Sequence, residues 1–342
     1  MSQLKAELVK VEVEEHPNAD RLDVIKIKGW QCVSQKGLFK SGDVAVYLPI
    51  DSVLPEALVA QLGIEKYYSK RLRTVKLRGM ISQGMCAKLD VLPPGTYPGP
   101  RGSEKMPTVG DDVTEVLGIT KYEPPIPVCM QGKVRSHDSR FVRYTDIENF
   151  KNFPDVYKEG EMVAIHEKIH GTNARAAKIE GELHVGSHNT NLLENKDNLY
   201  WRGAAKLKLE DTLKEGEQVF FEIFGSKVQD LAYGMKDGEI AVAIFDFMKG
   251  GKYLGYVDFG DVLTAYGDWA EMNAPLLYSG PWSSDLVRMA TGDSLWCPGQ
   301  VREGCVVRPL KEEQSEALQG RKILKIINDD YLLRKDKPSE YH

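Results

Sequence analysis

The stretch Glu167–Asn173, with the sequence EKIHGTN, decides how this chain is interpreted. It follows Met162–Ile165, an apolar run of the length typical of a buried strand. Burial and neighbouring cations both disfavour the ammonium form of a lysine, and a neutral lysine amine is a nucleophile. Gly171 allows the backbone to approach a ligand closely, and Asn173 can hold a phosphate or a metal-bound water. A surface lysine in a hairpin turn fits the heptapeptide equally well, so the rest of the chain must decide.

Length and composition are those of an ordinary globular protein. The chain has 342 residues, enough for two domains, and a formal net charge of −5. This charge argues against polyanion binding by the whole surface but allows a local basic groove. No apolar run approaches the roughly 20 residues of a membrane span, and the N-terminus lacks the apolar core of a secretory signal. The cysteines are scattered, odd in number and without a CxxC pair, so we expect a cytoplasmic protein with no structural zinc. We also expect a monomer.

Residues 1–122 have the pattern of an all-β domain. Apolar residues alternate with other residues in Leu8–Val13 and in Leu22–Lys28, with a turn cluster between them. Several short strands punctuated by Gly and Pro indicate a small barrel. The segments HPNADRLDVIKI, from His16, and KLRGMISQGM, from Lys76, resemble the OB-fold tRNA-binding module of phenylalanyl-tRNA synthetase β-chains and related RNA-binding proteins.

A basic run with interleaved aromatic residues lies within this domain. Tyr67 and Tyr68 stand among several lysines and arginines, which suits a surface that follows a nucleic-acid backbone and stacks on bases. An ordinary solvated charged face is the alternative. The predicted nucleic-acid-binding residues are Lys70, Arg71, Arg73, Lys76 and Arg78.

The remainder of the chain has a mixed pattern. Residues 93–107 are loop-like, and residues 123–131 are the predicted linker, because successive prolines stiffen a chain without joining either core. In residues 132–342, short apolar runs typical of strands alternate with two candidate helices, at 147–153 and 199–214. This pattern predicts an α+β domain with antiparallel sheets.

Five further stretches follow EKIHGTN in a fixed order. They are GSHN at 186–189, FFEIFG at 220–225, AIFDF at 243–247, EGCVVR at 303–308 and RKILKI at 321–326. Together they resemble the motifs of the covalent nucleotidyltransferase superfamily, which includes DNA ligases, RNA ligases and mRNA capping enzymes. EKIHGTN has the form that this motif takes in RNA ligases. An OB module placed ahead of it is similar to the arrangement in the nick-sealing RNA ligases of the Deinococcus and Naegleria type. The implied fold is α+β, with an N-terminal OB-fold barrel followed by an antiparallel-sheet adenylyltransferase domain.

This resemblance implies an ATP-dependent RNA ligase that uses Mg²⁺ or Mn²⁺. Lys168 would attack the α-phosphorus of ATP, release pyrophosphate and hold AMP through a phosphoramide bond. The AMP would pass to an RNA 5′-phosphate, and a 3′-hydroxyl would displace it. The expected partner is RNA, or a duplex containing RNA, with 3′-OH and 5′-phosphate ends, and the resemblance favours a nick.

The resemblance also implies roles for individual residues. Glu222 would accept a hydrogen bond from ribose, and Phe245 would stack on adenine unless it is a core aromatic. Glu303 would bind the metal as a hard oxygen ligand unless it is merely a loop acid, with Asn173 acting through water. His170 would assist the later steps. The predicted ATP-binding residues are Glu167, Lys168, Asn173, His188, Glu222, Phe245 and Lys325.

Two positions depart from the family pattern. His188 stands where many relatives carry an arginine, which makes a more dependable fork to phosphate or ribose. Lys322 and Lys325 are both expected to offset charge on the α-phosphate, but they are three residues apart and cannot share one face of a regular strand. Lys325 is the stronger candidate because it lies within the apolar run.

Three rival functions remain open at this point. A capping-type guanylyltransferase or a DNA ligase would use the same scaffold, but too few residues follow Lys325 in this sequence for the OB domain such enzymes carry there. A non-catalytic RNA-binding protein with an inactive ligase domain is the third. Intact Lys168, Glu222 and Glu303 argue against it.

Overall fold

The computed structural model describes residues 4–94, 108–123 and 128–335. Most of the predicted loop at 93–107, and residues 124–127 of the predicted linker, lie outside the described residues. Tyr122 still belongs to the first domain, since its backbone amide donates to the Asp51 carbonyl at 2.9 Å. Met130 is buried in the core of the second domain.

The described part of the N-terminal domain is built from short antiparallel strands, as predicted, and one α-helix. Leu8, Val46 and Ala87 of the strands pack with Leu58 and Val59 of the helix in one buried core. The strands pair as β1-β5-β9, β2-β3-β4, β7-β8 and β6-β10. Their bounds are β1 Glu7–Lys10, β2 Glu12–Glu15, β3 Leu22–Ile27, β4 Trp30–Gln35, β5 Val44–Leu48, β6 Ser52–Val53, β7 Thr74–Leu77, β8 Met80–Gln83, β9 Met85–Ala87 and β10 Thr120–Lys121, with α1 at Glu56–Leu62.

In the described residues, the second domain contains two large sheets and four short α-helices. The five-stranded sheet has the order β11-β23-β20-β12-β19, and the six-stranded sheet has the order β15-β14-β13-β16-β17-β18. The strands are β11 Glu148–Asn149, β12 Met162–Lys168, β13 Thr172–Ile179, β14 Glu182–Ser187, β15 Asn191–Leu192, β16 Glu217–Gly225, β17 Ile240–Lys249, β18 Lys252–Tyr253, β19 Leu276–Pro281, β20 Gly304–Pro309, β21 Gln314–Ser315, β22 Gly320–Arg321 and β23 Leu324–Ile327. The helices are α2 Leu199–Lys206, α3 Leu209–Thr212, α4 Tyr256–Ala265 and α5 Asp329–Leu332.

The α+β prediction is confirmed, with local corrections. The edge strand β11 pairs with β23 in the parallel sense. The helix predicted at 199–214 is interrupted, because Lys208 has a left-handed backbone with φ 53° and separates α2 from α3. The helix predicted at 147–153 is absent. There β11 runs into a single 3₁₀ turn, whose Lys151 amide donates to the Asn149 side chain at 2.9 Å.

The chain changes sheets at the heptapeptide. Strand β12 belongs to the five-stranded sheet and ends at Lys168, while β13 begins at Thr172 in the six-stranded sheet. Gly171 makes this crossing possible, since a Cβ atom there would lie 2.2 Å from the Ile223 carbonyl oxygen of β16. The glycine therefore serves a close approach to the neighbouring strand, and it also lines the cavity between the sheets.

The two domains share a hydrophobic core. One buried cluster joins Ile27 and Trp30 of the barrel to Phe224 and Tyr331 of the second domain. At its rim the Trp30 indole donates to the Asn152 side chain at 2.7 Å. The Gly29 amide donates to the Lys151 carbonyl at 3.0 Å. Apolar burial together with these hydrogen bonds docks the barrel on the second domain.

Within the described residues, none of the helices combines the length and apolar character needed to cross a membrane.

Gly29→Ala should destabilise the docked state. Its Cβ would lie 2.7 Å from the Lys151 Cα, and overpacking of this kind typically costs about 1–3 kcal/mol. We expect a lower free energy of unfolding in urea. Gly260→Ala in α4 is the control, because a Cβ there meets nothing within 4 Å. A Gly29→Ala protein as stable as the wild type would contradict this account of the interface.

Candidate active site

A cavity of about 310 Å³ opens between the two large sheets of the second domain. Its walls come from β12, β20 and β23 on one side and from β13, β14, β16 and β17 on the other. Most of the predicted site residues line it, namely Glu167, Lys168, His170, Asn173, His188, Glu222, Phe245 and Lys325.

Lys168 and Glu303 form an ion pair next to this cavity. The lysine Nζ lies 2.8 Å from the Glu303 Oε1, and the glutamate side chain is 1% exposed. The pairing of strands explains the contact, because Lys168 is opposite Gly304 in the β12–β20 ladder and Glu303 precedes that glycine. A Cβ at Gly304 would lie 2.1 Å from the Ile326 carbonyl oxygen, so the ladder requires glycine there.

Glu303 is held as a carboxylate despite its burial. Burial by itself raises the pKa of its carboxyl, but the adjacent Lys168 ammonium and the His170 ring outweigh it and lower that pKa to about 2. The His170 Nδ1 lies 3.8 Å from the Glu303 Oε2. Glu303 thus presents negatively charged carboxylate oxygens at neutral pH.

The His170 ring is 1% exposed and is held on both sides. Its Nε2 contacts the Asp230 carboxylate, and the Tyr331 hydroxyl lies 3.1 Å from its Nδ1. Burial lowers the pKa of the imidazole, but the hydrogen bonds to Asp230 and Glu303 more than offset it, so the pKa is raised.

Glu222 faces Asn173 across the β13–β16 ladder and borders the cavity. Burial raises the pKa of its carboxyl to about 8. The neighbouring Lys168 opposes this rise, and the negative charge of Glu303 adds to it. Glu222 is therefore largely protonated at neutral pH in the ligand-free protein, in contrast to Glu303. The Asn173 Oδ1 is buried and has no hydrogen-bond partner within the described residues.

Phe245 owes its position to a β-bulge. The β16–β17 pairing shifts register between Phe220 and Phe221, so that Phe245 has no partner opposite it. Its ring is half-buried, lines the cavity and packs edge-on against Tyr144 at 5.0 Å. The next residue, Asp246, is fully buried and bound by the Arg321 guanidinium at 2.7 Å. This ion pair anchors the strand at the bulge.

The structure separates the two candidate lysines of the last motif. Lys325 lies on β23, is buried and lines the cavity. Lys322 precedes the strand and does not border the cavity, and its Nζ lies 2.5 Å from Glu161. Lys322 lies outside β23, so it does not share the strand position that brings Lys325 to the cavity wall.

Glu167 and His188 occupy the cavity wall in ways that the sequence did not indicate. The Glu167 carboxylate accepts the Leu295 amide at 2.7 Å and lies 3.8 Å from the Arg302 Nε, so it stabilises that loop. The His188 Nε2 lies 3.4 Å from Asp146. Burial, with nearby arginines adding to it, lowers the pKa of this imidazole to about 4. His188 is therefore neutral at pH 7 and supplies no charge in place of the family's arginine.

Two family models match this chain. An OB-fold domain model matches residues 6–89, and an RNA ligase model matches residues 161–327, which contain every cavity residue after Ile147. Residues 161–327 belong to the RNA ligase family. This match decides against the capping enzyme and the DNA ligase. No curated protein shows a significant match to the sequence.

Solved structures of Naegleria gruberi RNA ligase resemble this RNA ligase over nearly its whole length. The structure with PPi has 27% identity and a TM-score of 0.80, covering 97% of this chain and 98% of that chain. A mutant with ATP and Mn has 26% identity and a TM-score of 0.80, covering 96% and 98%. A mutant with AMP and Mn has 26% identity and a TM-score of 0.79, covering 96% and 98%.

The basic run of the OB domain is only partly a surface. Lys70, Lys76 and Arg78 are exposed and Arg73 is half-buried. Arg71 is buried, and the prediction that it contacts nucleic acid does not fit its position. Its Nε lies 2.8 Å from Asp51, and its guanidinium stacks on Tyr122 at 4.0 Å. This arginine holds the end of the OB domain together.

Sequence reasoning missed the residues that enclose His170. Asp230 and Tyr331 contact its ring, and the Tyr233 hydroxyl accepts its backbone amide at 2.7 Å. They are separated from His170 by up to 161 residues, and no local pattern marks them. His166 was also missed. It is a buried cavity residue, and burial lowers the pKa of its imidazole to about 3.

The raised pKa of Glu222 predicts a pH-dependent stability. In the folded protein this pKa is about 8, above the ordinary value of 4.5, so the stability it contributes at low pH is lost as the pH rises towards 8. Relative to Glu222→Gln, the ligand-free wild type should lose free energy of unfolding between about pH 5 and pH 7. Urea titrations at several pH values measure this difference, with the exposed Glu271→Gln as control. Parallel curves for wild type and Glu222→Gln would refute it.

Proposed function

We propose that this RNA ligase seals 3′-OH and 5′-phosphate RNA ends, at nicks in duplexes, through a lysyl-AMP intermediate on Lys168. One observation carries the proposal. At the crossing between the two sheets, Lys168 borders a cavity that Glu222, Phe245 and Lys325 also enter. A volume of about 310 Å³ lies in the range of small-molecule sites. We further propose that the protein acts inside the cell, in keeping with its five free cysteines, and that it acts as a monomer.

ATP fits this cavity by the chemistry of its walls. The Phe245 ring offers a flat apolar face for adenine, and the Glu222 carboxyl can hydrogen-bond a ribose hydroxyl. Lys168 and Lys325 bring positive charge to the phosphates from β12 and β23, two strands of the same sheet with β20 between them. Structures of Naegleria gruberi RNA ligase mutants with ATP and Mn support this choice of nucleotide.

A divalent metal fits the oxygen atoms near Lys168. The Glu303 Oε2 and the Asn173 Oδ1 are buried and have no hydrogen-bond partner within the described residues. Such hard oxygen atoms suit Mg²⁺ or Mn²⁺. No group of three or more acidic, His or Cys ligands occurs in the described part of the chain, so phosphates and waters would complete the shell. When bound, the metal would neutralise phosphate charge.

The side chains account for the sequence of bond changes. Lys168 must leave Glu303 and lose a proton before its Nζ can attack the α-phosphorus. The N–P bond then forms as the P–O bond to pyrophosphate breaks. In the second step an RNA 5′-phosphate oxygen attacks the same phosphorus and the N–P bond breaks. In the third step the 3′-hydroxyl attacks the 5′-phosphate, and AMP leaves. His170, beside Lys168, assists these later steps.

Lys168→Ala should abolish the first step alone. Incubation with labelled ATP and Mg²⁺ should label the wild-type protein and leave Lys168→Ala unlabelled, because only this amine borders the cavity within the heptapeptide. The variant should still join RNA that already carries a 5′-adenylate. EDTA should prevent labelling of the wild type. Labelling of Lys168→Ala, or labelling of the wild type by GTP in preference to ATP, would refute the proposal.

We propose that the exposed part of the basic run binds the RNA. Lys76 and Arg78 lie at the β7–β8 hairpin and are exposed, and Tyr67 is 88% exposed nearby in sequence. Exposed cations beside an aromatic ring suit a phosphate backbone with stacked bases.

Removal of these cations should weaken RNA binding without affecting self-adenylylation. For Lys76→Ala/Arg78→Ala the slope of log K against log salt should fall by about 2, roughly one per phosphate contact. Lys206→Ala, an exposed lysine of α2, is the control. By contrast, Arg71→Ala should lower stability by about 3–5 kcal/mol, the usual cost of breaking a buried ion pair. An unchanged salt slope in the double variant would contradict this binding surface.

A further inference from the structure

The His170 ring is fixed at every polar atom. Its Nε2 contacts Asp230, its Nδ1 faces the Tyr331 hydroxyl at 3.1 Å, and Glu303 lies 3.8 Å from the same nitrogen. A flip of the ring about its Cβ–Cγ bond would break the contacts at both nitrogens at once. The ring plane is therefore set by residues outside the sequence motif.

These two partners are themselves held by the C-terminal helix. Tyr331 belongs to α5 and is fully buried in the core that the two domains share. Arg334 follows the helix, contacts the Asp230 carboxylate and packs over the Tyr331 ring at 4.7 Å. Both contacts to the histidine thus depend on one short segment of chain.

The same helix is tied to Glu303 and to the OB domain. The backbone amide of Asn328, which caps α5, donates to the Glu303 carbonyl at 2.9 Å. The first helical residue, Asp329, accepts hydrogen bonds from Gln83 of the OB domain at 3.0 Å and from Lys151 at 2.9 Å. Helix α5 therefore links OB-domain docking to both groups beside Lys168.

We propose that Asp230 and Tyr331 are positioning residues that aim the His170 ring for the sealing step, with α5 as their support. This proposal rests on the function proposed above, in which His170 assists the later steps. Neither residue lines the cavity, so each acts through the histidine. Hydrogen-bond partners that orient a reacting group typically contribute about 10–100-fold to activity.

Tyr331→Phe and Asp230→Asn test the proposal, because the first removes the hydroxyl that contacts the ring and the second removes the carboxylate charge, each with little change in volume. Joining of pre-adenylylated RNA at a nick should slow by about tenfold or more in each variant, while KM for the RNA stays within about twofold. Tyr157→Phe is the matched control. It removes another buried tyrosine hydroxyl, which donates to the Val307 and Lys322 carbonyls and makes no contact with His170. The control should keep the wild-type sealing rate.

A double-mutant cycle separates positioning from a purely structural role. In a His170→Ala background, Tyr331→Phe should have no further effect on the sealing rate, because its target is gone. His170→Gln provides a second background if His170→Ala does not fold. An equal loss with and without His170, or an unchanged rate for Tyr331→Phe alone, would overturn the proposal. A wild-type protein that takes no label from ATP would instead overturn the proposed function.

Discussion

The site depends on a single crossing of the chain from one sheet to the other at Ile169–Gly171. Because the Gly171 backbone can lie against the Ile223 carbonyl, the chain passes directly from β12 to β13, and the cavity between the two sheets lies beside this crossing. The crossing also places Lys168 opposite Gly304, and therefore beside Glu303. Burying such a pair is costly unless further contacts compensate. His170 and the residues around it supply those contacts. The crossing that joins the two sheets therefore also assembles the site.

Much of this arrangement could be predicted from sequence. EKIHGTN, Glu222, Phe245 and Lys325 stand on or beside strands, and the resemblance of their ordered motifs to those of nucleotidyltransferases implied one shared site. In the structure they line one cavity. The short strands of the first domain predicted the barrel, because alternation of apolar residues reports directly on a half-buried sheet. These predictions succeeded where a local pattern determines which face of a strand a side chain occupies.

The failures have a common physical origin. A basic run in the sequence does not reveal which of its members is buried. Arg71 is buried because its guanidinium pairs with Asp51 and stacks on Tyr122. The motif could not show that the Glu167 carboxylate binds a distant loop at Leu295. The contacts of Tyr331 join residues far apart in the chain. Tertiary pairings of this kind are fixed only when the sheets and helices pack, and they leave no periodic signal.

The core that the two domains share also constrains how RNA reaches the site. Trp30 and Tyr331 lie in one apolar cluster, and hydrogen bonds to Asn152 and Asp329 close its rim. Swinging the OB domain away would expose this cluster to water, and this cost opposes a hinge motion of the barrel. Under the proposed function, RNA would bind to a surface that is already assembled. The rate of RNA binding would then depend on encounter with this surface and not on closure of the two domains.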